Sequence, residues 1–465
     1  MKGLLIISGL GILAMLAEIF KFKKALFPLI LIGIIGAYAG NFMEWNNGLS
    51  IAVFDNMIAF DKVAIAFSGV ILATAFFWFI IANDYFKNSN SSLVDHYSLV
   101  LFALTGALML TAFKNMTTLF LGIEIMSIPL YVLAASKKKD VNSNEAGFKY
   151  LIMGSFASGF LLFGIVLIYG ATGSFDLMDI RAKISSVGSG AMPTFFYAGI
   201  IMMLIAMCFK VSAAPFHFWA PDVYQGSPTV ITALMSTVVK TAAFAAILRL
   251  FLIGFGGASE LWSSVLAAII ALSLVIANFS AAMQTNVKRM LAYSSISHAA
   301  FMLMVVLANL RSNATLGALL YYSLAYSIGS IAAFSIIYLV TKKGNENIEA
   351  FNGLGKRNPL LAACMTIAML SLAGIPVTAG FFAKYFVFVN MIGTAYKWLM
   401  ILAVLTSAVG VYYYFKVIIA MYFKPATESE EVPAELANKT VIILTTLITL
   451  ALGIVPGFVA EMFKF

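Results

Sequence analysis

The sequence predicts an all-α polytopic membrane protein of about fourteen transmembrane helices, and three observations carry that prediction. Of its 465 residues 62% are hydrophobic and only 11% are charged, whereas a soluble domain carries about a quarter charged residues. Apolar runs of about 20 residues, the length a helix needs to cross the bilayer's hydrocarbon, recur from end to end. The segments between them are too short for an extramembrane domain, and helices satisfy their own backbone groups where water is absent.

In order, the spans lie near 3–20, 25–43, 60–82, 97–113, 115–135, 147–170, 193–219, 228–253, 261–283, 289–308, 314–341, 358–390, 397–423 and 438–459. Met1-Lys2 and the apolar run behind them show no small-x-small cleavage site followed by a soluble domain, so they read as the first span and not as a leader peptide. The net charge of +9 sits mainly in short loops, where it sets topology and does not point to nucleic acid. Loops after odd-numbered spans hold Lys21, Lys23 and Lys24, then Lys137–Lys139, Lys288 and Arg289, and Lys342, Lys343, Lys356 and Arg357. Loops after even-numbered spans are poorer, with Lys114, Arg181, Lys183, Arg311 and Lys397. Lysine-rich loops stay in the cytoplasm, so both termini are expected in the periplasm.

Spans seven and twelve are too long and are interrupted. The first carries SAAPFHFW (Ser212–Trp219), the second SLAGIPVTAGFF (Ser371–Phe382). Proline removes a backbone donor and frees carbonyls, which survives in a bilayer only where protein or water satisfies the backbone. The breaks lie five spans apart, and an odd offset reverses orientation, as in inverted-repeat transporters. The expected organisation is therefore an N-terminal three-helix segment (1–96), two inverted five-helix repeats with broken helices seven and twelve (spans 4–8, 97–253; spans 9–13, 261–423) and a C-terminal helix (438–465). Lys210 precedes its break, whereas Lys384 follows its own.

Several charges stand in the wrong solvent. Glu124 lies mid-span in TLFLGIEIMSIPLY, Lys210 well inside span seven, Lys240 at the centre of span eight, and His298 in span ten. A central lysine costs roughly 2.5–3.5 kcal/mol even on the lenient insertion scale. Glu124 and Lys210 fit a coupled pair, or a purely structural ion pair. His298 and His217 fit a relay, or core histidines tying helices together. Lys149, at the start of span six, fits a snorkelling lysine as well as a functional one. Glu18 and Lys416 read as interfacial. Lysines are poor ligands for Na⁺ or K⁺, so a row of them, joined by histidine and water, favours protons.

FKVSAAPFHFWAPDVYQGSPTVITALMSTVVKTAAF, MLAYSSISHAAF and SLAGIPVTAGFFAK resemble the antiporter-like proton-translocating subunits of respiratory complex I, nearest the N-type branch, over nearly the whole chain. The resemblance implies fourteen helices with inverted five-helix repeats and breaks in helices seven and twelve. It places Glu124 and Lys210 as the coupling pair, Lys240 and His298 as the central relay and Lys384 as the terminal station, with Lys149 matching a linking lysine. Two motifs depart from it: Val377 replaces the second proline of GIPPTAGF, which is expected to loosen the break, and Ser227 replaces the alanine of QGAP. The chain closes soon after span fourteen, without the long lateral helix of the L-type branch.

The resemblance further implies a subunit of NADH:quinone oxidoreductase in the bacterial inner membrane, doing no redox chemistry itself. FMN, iron–sulfur clusters, NADH and quinone would sit in partner subunits. The neighbours would be an M-like subunit and small K-, J- and A-like subunits, within the lipid bilayer. The sequence agrees: Cys208 and Cys364 form no cluster, and no glycine fingerprint follows a strand. The rivals are an Mrp-type Na⁺/H⁺ antiporter or hydrogenase-associated subunit, an organic-solute carrier, and a structural scaffold. The topology is testable: a reporter active only in the periplasm, fused within Lys137–Lys139, should be silent, and activity there would invert the orientation.

Overall fold

Among the described residues, eleven helices are long and apolar enough to cross a membrane. The computed structural model describes residues 1–17, 19–20, 22–47, 51–87, 93–186, 192–308, 313–342, 344–426 and 432–457. Glu18, Arg311 and Lys343 therefore lie outside the described residues. The segments expected at 3–20, 193–219 and 358–390 are built from shorter helices, Lys2–Leu16, Thr194–Lys210, and Pro359–Ala373 with Ala379–Met391.

Helix ends follow local chemistry. Asn115, Asp140, Asn286 and Asn358 each accept a hydrogen bond from a first-turn amide, satisfying donors that a helix start leaves free. Asp140 thereby starts the sixth span at Val141, six residues before its apolar run. Two elements escaped the sequence reading. Leu177–Ser186 forms a short helix in a loop. Ile51–Val53 and Ile58–Phe60 pair as an antiparallel hairpin ahead of helix Lys62–Lys87. Phe54, Asp55 and Asn56 turn it with φ of 52°, 49° and 65°, a region Asp and Asn tolerate better than most residues.

Helix Thr229–Gly254 runs through the middle of the molecule, buried at every position but Ile253. Helix Val141–Thr172 is peripheral, with Phe148, Ile152, Phe156 and Phe163 exposed, as on a surface meeting lipid or another subunit. Three short-range clasps bind the bundle. Asp61 caps helix Lys62–Lys87 and pairs with buried Arg249, whose Nε also donates to the Thr111 carbonyl. Lys288 joins the Ser227 carbonyl to Glu346. Asp84, only 4% exposed, accepts from Lys342 Nζ at 2.8 Å, Tyr338 Oη at 3.0 Å and Asn438 Nδ2 at 3.1 Å, tying helix Lys62–Lys87 to Asn313–Val340 and Leu436–Ile454.

Both breaks keep their backbone satisfied by protein. In the first, the Ala214 amide donates to Ser273 Oγ at 2.8 Å and the Trp219 indole donates to the Phe209 carbonyl at 3.1 Å. In the second, Gly374 ends helix Pro359–Ala373 at φ 86°, and Gly380 lets the restarted helix press against the first half. Val377 does not simply loosen this turn: its φ of 72° is out of reach of the proline ring of the family pattern, which is locked near −65°. Its carbonyl packs on Gly453 of the C-terminal helix instead.

A methyl group at Gly380 would sit 1.7 Å from the Ser371 carbonyl, a backbone atom that cannot step aside. Gly380→Ala is therefore expected to cost about 3 kcal/mol or more, read as a lower melting temperature of the detergent-solubilised protein. Gly36→Ala, inside helix Lys23–Asn47 and meeting nothing within 4 Å, should not lower that temperature and should raise it slightly, because alanine favours the helix.

Candidate functional site

Three lysine ammonium groups lie along the molecule, each held by neutral oxygen. Lys210 is the last residue of helix Thr194–Lys210 and is 5% exposed. Its Nζ donates to Ser127 Oγ at 2.6 Å, and the Ser127 hydroxyl in turn donates a hydrogen bond to the Ile123 carbonyl. Glu124, one turn from Ser127 on helix Met116–Ala134, accepts a short hydrogen bond from Ser158 of the neighbouring helix. The structure shows no Glu124–Lys210 contact within ion-pair distance among the described residues. Ser127 stands between them.

Lys240 follows a π-helical stretch, Met235–Val239, which widens the helix just before it. It is 1% exposed, and its Nζ donates to the Ser295 carbonyl at 2.6 Å and to Ser295 Oγ at 2.9 Å. One turn on, His298 meets Tyr322 Oη at 2.7 Å through Nδ1 and Tyr414 Oη at 3.2 Å through Nε2. Tyr414 is in turn hydrogen-bonded to Ser294, and the Tyr326 ring packs on the imidazole. A cavity of ≈ 10 Å³, about the room one water needs, separates His298 and Tyr326 from Ser371 and Gly380 of the second break.

Lys384 lies beyond that cavity. Its Nζ donates to the Ala373 carbonyl at 2.8 Å and stands 5.2 Å from the centre of the Phe301 ring. Its stem fills the space where a side chain at Gly374 would lie. Lys210 is the last residue of the first half-helix before its break, while Lys384, which follows its break, brings its ammonium back to the C-terminal end of the first half-helix, the end that favours a cation.

On the face bearing Lys137–Lys139, a polar vestibule of ≈ 1250 Å³ opens between the helices, with Lys149, Asp222, Arg289 and Glu346 on its walls. Lys149 bridges Glu145 at 2.7 Å and Asp222 at 2.8 Å, and Arg289 holds the other Asp222 oxygen at 2.7 Å.

The membrane region of the family "NADH:quinone oxidoreductase/Mrp antiporter" matches residues 114–410. NADH-quinone oxidoreductase subunit N of Flavobacterium psychrophilum is 43% identical over 464 residues, covering 99% of this chain and all of that protein. Its counterpart in Flavobacterium johnsoniae is 44% identical over 471 residues, with the same coverage. The chain belongs to the family of NADH-quinone oxidoreductase subunit N. Among solved structures, a chain of respiratory complex I from Thermus thermophilus with bound aureothin superposes with a TM-score of 0.83 at 32% identity, over 99% of this chain and 98% of that one. A chain of the Mrp complex from Dietzia shares the fold, with a TM-score of 0.87 at 20% identity over 99% of this chain and 96% of that one.

Of the family positions read from the sequence, Lys240 and His298 lie within one turn on facing helices, and Lys210 lies beside the Glu124 helix. His217 is not joined to them: it is buried near the first break, and its Nδ1 has no hydrogen-bond partner. Lys149, 39% exposed on the vestibule wall, is ion-paired with Asp222 and hydrogen-bonds none of the relay residues among the described residues. Lys416, read as interfacial, has a specific partner set. It donates to the Ala282 and Gln284 carbonyls at 3.0 Å, closing the end of helix Ser259–Ala282. The oxygens that hold the lysines, from Ser127, Ser295 and Ala373, were not identified from sequence. Neither were Tyr322 and Tyr414. The YSSIS run before His298 was the one available signal.

Burial pushes the Asp222 carboxyl up, but Lys149 and Arg289 beside it outweigh burial and hold it below the usual carboxylate range. A carboxyl depressed in the folded state contributes stability that is complete above its unfolded value and lost as pH falls through the folded one. Melting temperature should therefore show no contribution from Asp222 to pH dependence between pH 8 and about 4, and fall below that. Asp222→Asn should lower the plateau and flatten the acid limb.

Proposed function

We propose that this chain is the proton-translocating membrane-arm subunit of NADH:quinone oxidoreductase, and that Glu124, Lys210, Lys240, His298 and Lys384 form its proton relay. Full-length identity of 43–44% to NADH-quinone oxidoreductase subunit N supports the first part. The observation that carries the second is the row of three lysines, Lys210 and Lys240 buried and Lys384 partly buried, bound to hydroxyl and carbonyl oxygens and not to carboxylates. A carboxylate partner would fix the ammonium form. A neutral oxygen accepts from an ammonium or an amine alike, so the proton stays transferable. Quinone reduction in partner subunits would move Glu124 relative to Lys210, and the change would pass through Lys240 and His298 to Lys384.

The relay rests on two inverted five-helix repeats within fourteen spans. Supporting this, Asn115 bridges Asp176 and Asn286 bridges Asn347 in the same antiparallel pattern, each pair joining the start of one span to the loop five spans from its counterpart. Lys210 and Lys240 are 30 residues apart, as are Lys384 and Tyr414. Tyr414 would thus hold the place of Lys240 in the second half. The domain limits 1–96, 97–253, 261–423 and 438–465 follow from the same reading. So do an inner-membrane location with periplasmic termini, and M-like and small K-, J- and A-like neighbours. FMN, iron–sulfur clusters, NADH and quinone belong to partner subunits. Cys208 and Cys364 are single buried thiols, and no group of three His, Cys, Asp or Glu able to hold a metal occurs among the described residues. His217 and Lys149 fall outside the relay as its geometry stands.

An Mrp-type antiporter or hydrogenase-associated subunit would share this fold and the matched family, but the full-length identity of 43–44% is to NADH-quinone oxidoreductase subunit N. For Lys210→Ala, the complex should assemble and oxidise NADH in membrane vesicles with proton pumping lost. Normal pumping would remove Lys210 from the relay.

A further inference from the structure

Between the vestibule and Lys210 runs a polar seam that the relay does not account for. Helices Met116–Ala134 and Val141–Thr172 are antiparallel neighbours. Residues three or four apart share a helix face. On one helix the facing stripe is Glu124, Ser127 and Tyr131. On the other it is Ser158, Gly154 and Tyr150. The two stripes are in register: Ser158 bonds Glu124, the Tyr131 hydroxyl lies where a Gly154 side chain would be, and the Tyr131 and Tyr150 rings meet edge to face at 4.7 Å.

The upper end of the seam touches the vestibule. Ala146 and Lys149, which line it, precede Tyr150 on the same helix. Asp222, also on the wall, lies one turn from Trp219, and Trp219 stacks on the Tyr150 ring at 4.7 Å. The lower end touches the relay, where Ser127 accepts from Lys210. Between the ends, Tyr131 and Tyr150 are 5% and 1% exposed, and neither hydroxyl has a hydrogen-bond partner. Two orphaned hydroxyls in one seam are costly, because a buried polar group without a partner loses its hydration for nothing. Such groups are where water is held inside proteins.

We propose that Tyr150 and Tyr131, bridged by water, form the proton inlet from the vestibule to Lys210. A proton arriving at the Tyr150 oxygen displaces that hydroxyl's own proton to the bridging water, and the shift repeats through Tyr131. Ser127 turns its O–H from the Ile123 carbonyl toward the unprotonated Lys210 amine and hands that proton over, taking one from the Tyr131 side. Only O–H and N–H bonds are made and broken, and the net change is one proton moved from the vestibule to the lysine.

The inference rests on Lys210 being a relay station, so the test carries Lys210→Ala in parallel. Tyr131→Phe and Tyr150→Phe keep every ring contact and delete only hydroxyls with no protein partner, so a structural role predicts no change. In membrane vesicles containing the assembled complex, each Phe variant should build a proton gradient several-fold more slowly. The deficit should widen when the pH on the vestibule side is raised by one unit, because proton uptake has become limiting. Normal rates and an unchanged pH profile in both variants, with Lys210→Ala still defective, would overturn the inlet and leave the relay standing. Normal pumping in Lys210→Ala would overturn the relay and the inlet with it. Failure of either Phe variant to assemble would also overturn the inlet, since it would show that the hydroxyl holds structure.

Discussion

An ammonium group removed from water must be given oxygen, and in this molecule the kind of oxygen depends on where it lies. Towards the bundle ends, Lys149, Lys288 and Lys342 reach Asp222, Glu346 and Asp84. Deeper in, Lys210, Lys240 and Lys384 reach only serine hydroxyls and main-chain carbonyls. Carbonyls that can be lent this way are scarce in a regular helix, because each is already bonded one turn on. Only one of the three sites draws on a freed carbonyl; the Ser295 carbonyl is lent from within the regular helix Val287–Leu307, and Lys210 takes a serine hydroxyl instead. The second break frees the Ala373 carbonyl, and the π-helical stretch carries Lys240 to Ser295. The irregularities of the fold and the placement of its buried charges are two sides of one requirement.

The same requirement explains why the two broken helices look mismatched in sequence yet match in space. Both lysines are placed by a break in their helix, though what each ammonium meets there differs: a serine hydroxyl for Lys210 and a main-chain carbonyl for Lys384. Lys210 is the terminal residue of its half-helix, and Lys384 reaches back across Gly374 to the end of its own.

Much of the frame was legible in the sequence because its signals are rare events in an apolar background. A lysine, a Gly-x-Pro or an Ala-Ala-Pro inside such a run is conspicuous, so the breaks and the buried charges could be placed. Serine and tyrosine are ordinary in membrane helices, so Ser127, Ser295, Tyr322 and Tyr414 carry no mark that sets them apart from Ser335 or Tyr321. Their roles depend on which helices face each other, which one sequence does not state. Polar residues near span ends were ambiguous for the same reason: Lys149 fitted a snorkelling or a functional lysine and Lys416 an interfacial one, and the structure gives the first ion pairs and the second a helix end to close.

Asp84 has a consequence for how the chain is made. Its partners Tyr338, Lys342 and Asn438 follow it by 254, 258 and 354 residues. At roughly 5–20 residues per second, translation delivers the last of them about 20–70 s after Asp84 has been synthesised. Through that interval the third helix carries a carboxylate whose later ligands do not yet exist. Arrival of the C-terminal helix is what completes its coordination, so the newborn subunit has a built-in mark of whether its last span has been inserted.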